Sequence, residues 1–213
     1  MNAATPIEPG LDIAVWDRAT RAAHQWRGEA IDVLAQGEAV VTEMLLTLHA
    51  VPGRGNAVKL RQLLGQRLSD LQDALKVDGP FAAEGKGAVA RLAKFREHES
   101  FRAALCHGVA TVAIDRQRRW LLVMRLVALE CSGAKRTTLV INGEEAAPLL
   151  AELSADVRNL RSAMGQITAA LKTTTAPSST RRLRSTSAVK STCPGVSIRL
   201  IEHSFQRQEI AAE

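Results

Sequence analysis

Phe101-Arg102-Ala103-Ala104-Leu105-Cys106-His107-Gly108 is the stretch where the pattern of the chain changes. Before it, apolar residues recur at helical spacing. After it, Val109 to Ile114 and Trp120 to Leu129 are the Val-, Leu- and Ile-rich runs of strands, and Asp115-Arg116-Gln117-Arg118 between them suits a hairpin turn. Gly108 at the boundary is expected to take the left-handed conformation that ends a helix. His107 then lies at a helix C-terminus, where the partial negative charge favours the imidazolium form. In an unbroken helix the five steps from Arg102 to His107 turn the chain about 500° and leave the two side chains about 140° apart. For the two to share a ligand, the break at Gly108 must let the histidine swing toward the preceding turn. The structural alternative makes Arg102 a solvated helix residue and His107 a cap on the last carbonyls.

Upstream, after a leader that ends near Gly10, a helix is expected from about Asp12 to Ala50. Ile31, Leu34, Val41, Leu45 and Leu48 form its apolar face, and Gly28 and Gly37 are candidate points of division. Val51-Pro52-Gly53-Arg54-Gly55 ends it. A second helix is expected from an Asn56 N-cap through Lys76, with Leu60, Leu64, Leu68, Leu71 and Leu75 as its stripe. Asp78-Gly79-Pro80 is a turn, and a third helix leads from Phe81 or Ala88 to Phe95. Downstream of the hairpin, a Cys131 to Lys135 loop precedes a third strand from Arg136 to Ile141. Asn142, Glu144 and Glu145 then signal a final helix. Pro148 is deep for a first-turn proline and moves the expected start toward Glu145. Leu149, Leu153, Val157, Leu160, Met164 and Ile167 supply its core face.

The resulting expectation is a mostly α fold: a helical bundle with a small β-hairpin or three-strand meander inserted before the last helix. Residues 1–10 are a flexible leader, 11–170 the folded domain, and 171–213 a basic Ser/Thr-rich tail with too little apolar surface to offset its ordering entropy. Apolar residues make up 46% of the 213-residue chain, aromatics only 3%, and tyrosine is absent, so Leu, Val, Ile and Ala must fill the core. Three cysteines with no CxxC pair argue against a disulfide framework or a cysteine zinc site and suit a reducing compartment. No basic start followed by an apolar run opens the sequence. Arg125 interrupts the most apolar later stretch, well short of the ~20 residues that cross a bilayer. A cytoplasmic protein with no membrane partner is expected. Of the net charge of +6, +4 falls from Leu171 onward, so a basic composition alone does not establish a nucleic-acid partner for the domain.

The glycine-containing segments Gly53 to Gly55, Glu84 to Gly87 and Ser132 to Arg136 lack the spacing and the strand-to-helix setting of a phosphate-binding loop and read as turns. His98, Glu99, Cys106 and His107 have no accepted metal-ligand spacing. No cofactor and no metal are expected. Trp16 and Trp26 read as packing anchors rather than a stacking platform, because no basic cluster interleaves them.

In the order FRAALCHG, then VATVAIDRQRRWLLVMRLVAL, then INGEEAAPLLAELSADVRNLRSAMGQI, the chain resembles the bacterial HEPN-like helical proteins, whose hallmark is Arg-x(4 to 6)-His. The resemblance runs from about Trp16 to Ile167. It implies a homodimer that cleaves RNA without a metal in a cleft between two protomers, with Arg102 and His107 as the catalytic pair. Imidazole titrates near neutrality and would move a proton to or from the 2′-hydroxyl or the leaving oxygen. A guanidinium would stabilise charge on the phosphoryl oxygens. The residue after the arginine is usually polar in this family, and Ala103 stands there instead, which points to weakened catalysis. The alternatives are a non-catalytic dimeric RNA-binding or protein-interaction module, and a helical interaction protein in which Arg102 and His107 have structural roles.

Overall fold

In the computed structural model, residues 13–130 and 133–175 are described, and they fall within one compact unit. The chain is mostly helical, with a small antiparallel sheet before the last helix, as the sequence pattern leads one to expect. Helix α1 (Ile13–His49) is followed by a 3-10 turn (Gly55–Ala57), α2 (Leu64–Leu75), α3 (Ala82–Gly85), α4 (Val89–Arg96) and α5 (Glu99–His107). Strands β1 (Val109–Ile114), β2 (Trp120–Glu130) and β3 (Gly133–Asn142) form a meander in the order β1-β2-β3, and α6 (Gly143–Thr175) closes the chain.

The long helices α1 and α6 run parallel, so contacts between them advance in the same direction along both. Trp26 reaches Ala146 near the start of α6, and Gln36 reaches Arg161 farther along it. The short helices α2 to α5 pack against this pair through Leu68, Leu71, Phe81, Leu92 and Leu105, all nearly inaccessible to solvent. The sheet turns one face inward. Leu122 stands opposite Val112 and Ile141, Met124 opposite Ala110 and Leu139, and Leu122 and Met124 are fully buried. The period of two places Val109, Val127 and Val140 on the other face, where they are exposed.

Several expected boundaries shift for physical reasons. Helix α1 is not divided at Gly28 or Gly37. At Gly37 the Phe95 ring occupies the place of a side chain, so that glycine serves helix packing. The second helix starts at Leu64, not after Asn56. Val58 takes an extended backbone that carries its side chain into the core, while Leu60 is half exposed and lies outside the stripe. Gly108 is not left-handed: φ −71° and ψ 138° lead it straight into β1. Glycine is needed there because a Cβ would strike the Ala104 carbonyl oxygen. Strand β3 begins at Gly133, earlier than the expected Arg136. Helix α6 begins at Gly143 because Asn142 Oδ1 accepts from the Glu144 and Glu145 amides at 2.9 and 2.8 Å, and Pro148 sits inside it. At its far end α6 runs on to Thr175 with Leu171 buried, so the last turn of the helix takes in residues from the expected tail. The leader, residues 1–10, and the rest of the tail, from residue 176, lie outside the described residues.

The β1–β2 turn carries one strained residue. Arg118 has φ 62°, in the left-handed region that costs a side-chain-bearing residue about 1 kcal/mol. Asp115 holds the turn by accepting from the Gln117 and Arg119 amides, both at 2.9 Å, and from Arg119 Nε at 2.7 Å. Partial desolvation pushes the Asp115 carboxyl up, but these bonds and the Arg119 charge outweigh it and hold the group below its ordinary value.

The two glycines of α1 give a paired test. At Gly28 nothing lies within reach of an added Cβ, so Gly28→Ala should stabilise the protein by up to about 1 kcal/mol through helix propensity. Gly37→Ala gains the same propensity but must displace the Phe95 ring, and should destabilise by about 1 kcal/mol or more. Urea midpoints that move in opposite directions support this packing. Equal upward shifts would show that α1 does not press on Phe95.

Candidate functional site

Both residues of the expected pair lie on α5, and the helix stays regular through His107. The 140° divergence of an unbroken helix therefore applies. Arg102 and His107 have different surroundings.

Arg102 turns toward α1, where its Nε donates to Glu38 Oε1 at 2.7 Å. The second Glu38 oxygen lies 3.8 Å from Arg67 Nη2, and Arg67 Nη1 donates to the Thr42 hydroxyl. One turn before Arg102 on the same face, His98 Nε2 and Asp156 Oδ2 of α6 are 2.8 Å apart, both largely buried. Glu38, Leu64, Phe95, His98, Glu99 and Arg102 help to enclose a void of only about 10 Å³. That is at the lower limit for a single water and far below what any ligand needs. The Arg102 end of α5 is therefore a filled joint that ties α5 to α1, α2 and α6.

His107 is exposed, and among the described residues its ring makes no hydrogen bond or ion pair. The capping task falls to Arg27 of α1. Its Nε and Nη2 donate to the Leu105 carbonyl at 2.8 and 2.5 Å, and Nη2 also reaches the Gly108 carbonyl at 3.3 Å. At the end of a helix leading into a strand, the Leu105 carbonyl has no intrahelical partner, and a cation there also complements the helix dipole. Arg27 thus fixes the backbone on both sides of His107 and leaves the imidazole free in solvent. A histidine placed this way can exchange protons with a bound molecule. The nearby Arg27 guanidinium is engaged with backbone carbonyls and Arg102 with Glu38, so one chain alone does not assemble a phosphate-binding site from Arg102 and His107.

A second feature joins parts of the chain about a hundred residues apart. Arg18 of α1, Arg118 of the β1–β2 turn and the Trp120 indole line a cleft of about 330 Å³, with Val15, Ala19 and Ala22 as its apolar wall. Trp16 and Trp26 read as packing anchors in the sequence because no basic cluster interleaves them, although Arg18 and Arg21 lie between them. The arginine-rich turn Arg116 to Arg119 directly before Trp120 is the signal that this reading passed over.

Among the described residues, no group of three or more His, Cys, Asp or Glu side chains is placed to hold a metal ion, and no helix is long and apolar enough to cross a membrane. Compared with protein-family models, with curated proteins and with solved structures, the chain finds no match.

The Arg27 clamp can be tested directly. Arg27→Ala leaves the Leu105 carbonyl unpaired in a partly buried place and should cost about 1–3 kcal/mol of stability. It should also speed amide exchange at the α5–β1 junction. A melting curve and exchange pattern like the parent's would show that the clamp does not hold the corner.

Proposed function

We propose that this chain is an RNA-acting protein of the HEPN-like kind, that it works as a homodimer, and that its cutting step is weak or absent. The observation that supports this reading best is the setting of His107: it closes a helix directly before a three-strand meander, held by Arg27 and free at its ring. With α6 opened by an Asn142 cap, this is the element order that the resemblance leads one to expect. An imidazole presented on a fixed backbone suits proton transfer at an RNA 2′-hydroxyl or leaving oxygen.

The partner group is what weakens the chemistry. Glu38 pairs with Arg102, so a phosphoryl oxygen would have to displace a carboxylate to gain that guanidinium. Ala103 offers no polar group beside it. Arg27 beside His107 is taken up by the Leu105 and Gly108 carbonyls and Arg102 by Glu38, so an available cation has to come from a second protomer, which is the reason to expect a dimer. The Glu38–Arg102 pair also favours a second reading, in which the dimer binds RNA without cutting it.

RNA cleavage assayed in EDTA, on a sample whose mass is measured at tens of micromolar, tests this. A dimeric mass is expected. The parent should bind mixed RNA and cut it weakly or not at all, and Ala103→Asn should raise any cutting. His107→Ala should lower it by a factor of about 10² to 10⁴, and Arg102→Ala by a similar factor. Cutting unaffected by His107→Ala would remove His107 from the chemistry. If both the parent and Ala103→Asn bind RNA without cutting while folded, the binding reading stands and the enzyme reading falls. A monomer that binds no RNA contradicts both.

A further inference from the structure

We propose that the cleft between the start of α1 and the β1–β2 turn binds a nucleoside phosphate, its ring against Trp120 and its phosphate between Arg18 and Arg118. The cleft's volume of about 330 Å³ lies within the roughly 300–1,000 Å³ range of small-molecule pockets. One wall is the Trp120 indole, and Val15, Ala19 and Ala22 provide an apolar surface for a planar ring to lie on. The indole is braced from behind. Its ring centre is 6.1 Å from that of the buried Trp26, and a Cβ at residue 143 would lie only 3.0 Å from its Nε1, so Gly143 lets it seat against the start of α6.

The charges at this end of the molecule are sorted in a way that leaves two cations available. Arg119 occupies both nearby acids, with Nε 2.7 Å from Asp115 Oδ2 and Nη1 2.5 Å from Glu144 Oε1. Among the described residues, the side chains of Arg18 and Arg118 make no ion pair or hydrogen bond. Asp17, next to Arg18 in sequence, is turned about 100° away around α1. Arg118 occupies a left-handed turn position at which glycine or asparagine would sit without strain. A strained backbone that brings a cation to the mouth of an aromatic-walled cleft is the kind of outlier that accompanies ligand sites. Guanidinium groups donate charge-assisted hydrogen bonds to phosphate oxygens, and an indole face stacks any of the bases.

A free nucleotide and an unpaired nucleotide of single-stranded RNA share this chemistry. RNA as the source rests on the function proposed above, whereas the cleft itself does not. The test follows tryptophan fluorescence on addition of AMP or UMP, and the anisotropy of a short fluorescent single-stranded RNA, with Arg118→Gly and Arg18→Gln beside the parent. Arg118→Gly relaxes the turn, so any lost binding cannot be put down to unfolding. The nucleotides should quench the parent's fluorescence. Each variant should weaken both ligands about tenfold and lower the salt slope of RNA binding by about 1.

If the nucleotides bind in an arginine-dependent way and the RNA does not, the cleft is a free-nucleotide site and the RNA-acting role fails. If RNA binds the parent and both variants equally, the cleft proposal is overturned and the RNA-acting role stands. Displacement of the nucleotides by inorganic phosphate at equal concentration, or no binding of either ligand at millimolar levels, also overturns it.

Discussion

The indole N–H of Trp26 donates to the Ala146 carbonyl at 2.7 Å in a buried place, and the same ring packs against Phe101 of α5 and Trp120 of β2. One side chain of α1 therefore sets the positions of α5, the sheet and the final helix together. The next residue, Arg27, reaches round the helix to grip the carbonyls on either side of His107. A chain with so few aromatics has gathered two of its three tryptophans and one of its four phenylalanines at this crossing. An indole N–H left without a partner here would cost about 1–3 kcal/mol, so the crossing tolerates little rearrangement. The meander, which presents only one buried face, depends on it for its seat.

Charge is distributed along α5 according to the same geometry. Toward its start, Arg102, Glu38, Arg67, His98 and Asp156 close a joint with almost no free volume. At its end, the backbone is clamped and the histidine stands open. Taking Arg102 out of reach of His107 firms the bundle and removes a cation from the open corner. On the proposed function this is a trade of catalytic power for a firm fold, and it makes a second chain or a separate binding surface necessary. The Arg18, Arg118 and Trp120 cleft is such a surface, formed by α1 and the far tip of the β1–β2 hairpin.

Order and type of elements were legible because they rest on local signals. Apolar periodicity marks α1 and α6, the change at Gly108 marks the sheet, and Asn142 marks the last helix. What the sequence hides are choices made by distant atoms. Gly108 looks like a left-handed stop, but the Ala104 carbonyl is what requires it. Gly37 looks like a weak point in α1, and the Phe95 ring makes it a contact. Leu60 continues the stripe of α2 in sequence, while burial of Val58 pulls the chain out of helix there. The partners of Arg102 and His98 lie 64 and 58 positions away, so no local pattern predicts that one residue of the expected pair is tied down and the other left free. The cleft needed the fold before its residues could be seen as neighbours.

The claim that the folded domain itself meets RNA is tested most directly by photo-crosslinking the full chain to single-stranded RNA and mapping the adducts by peptide mass. Adducts are expected in peptides that carry His107 and Trp120. Adducts confined to the basic segment after residue 175, or no adducts at all, would contradict it.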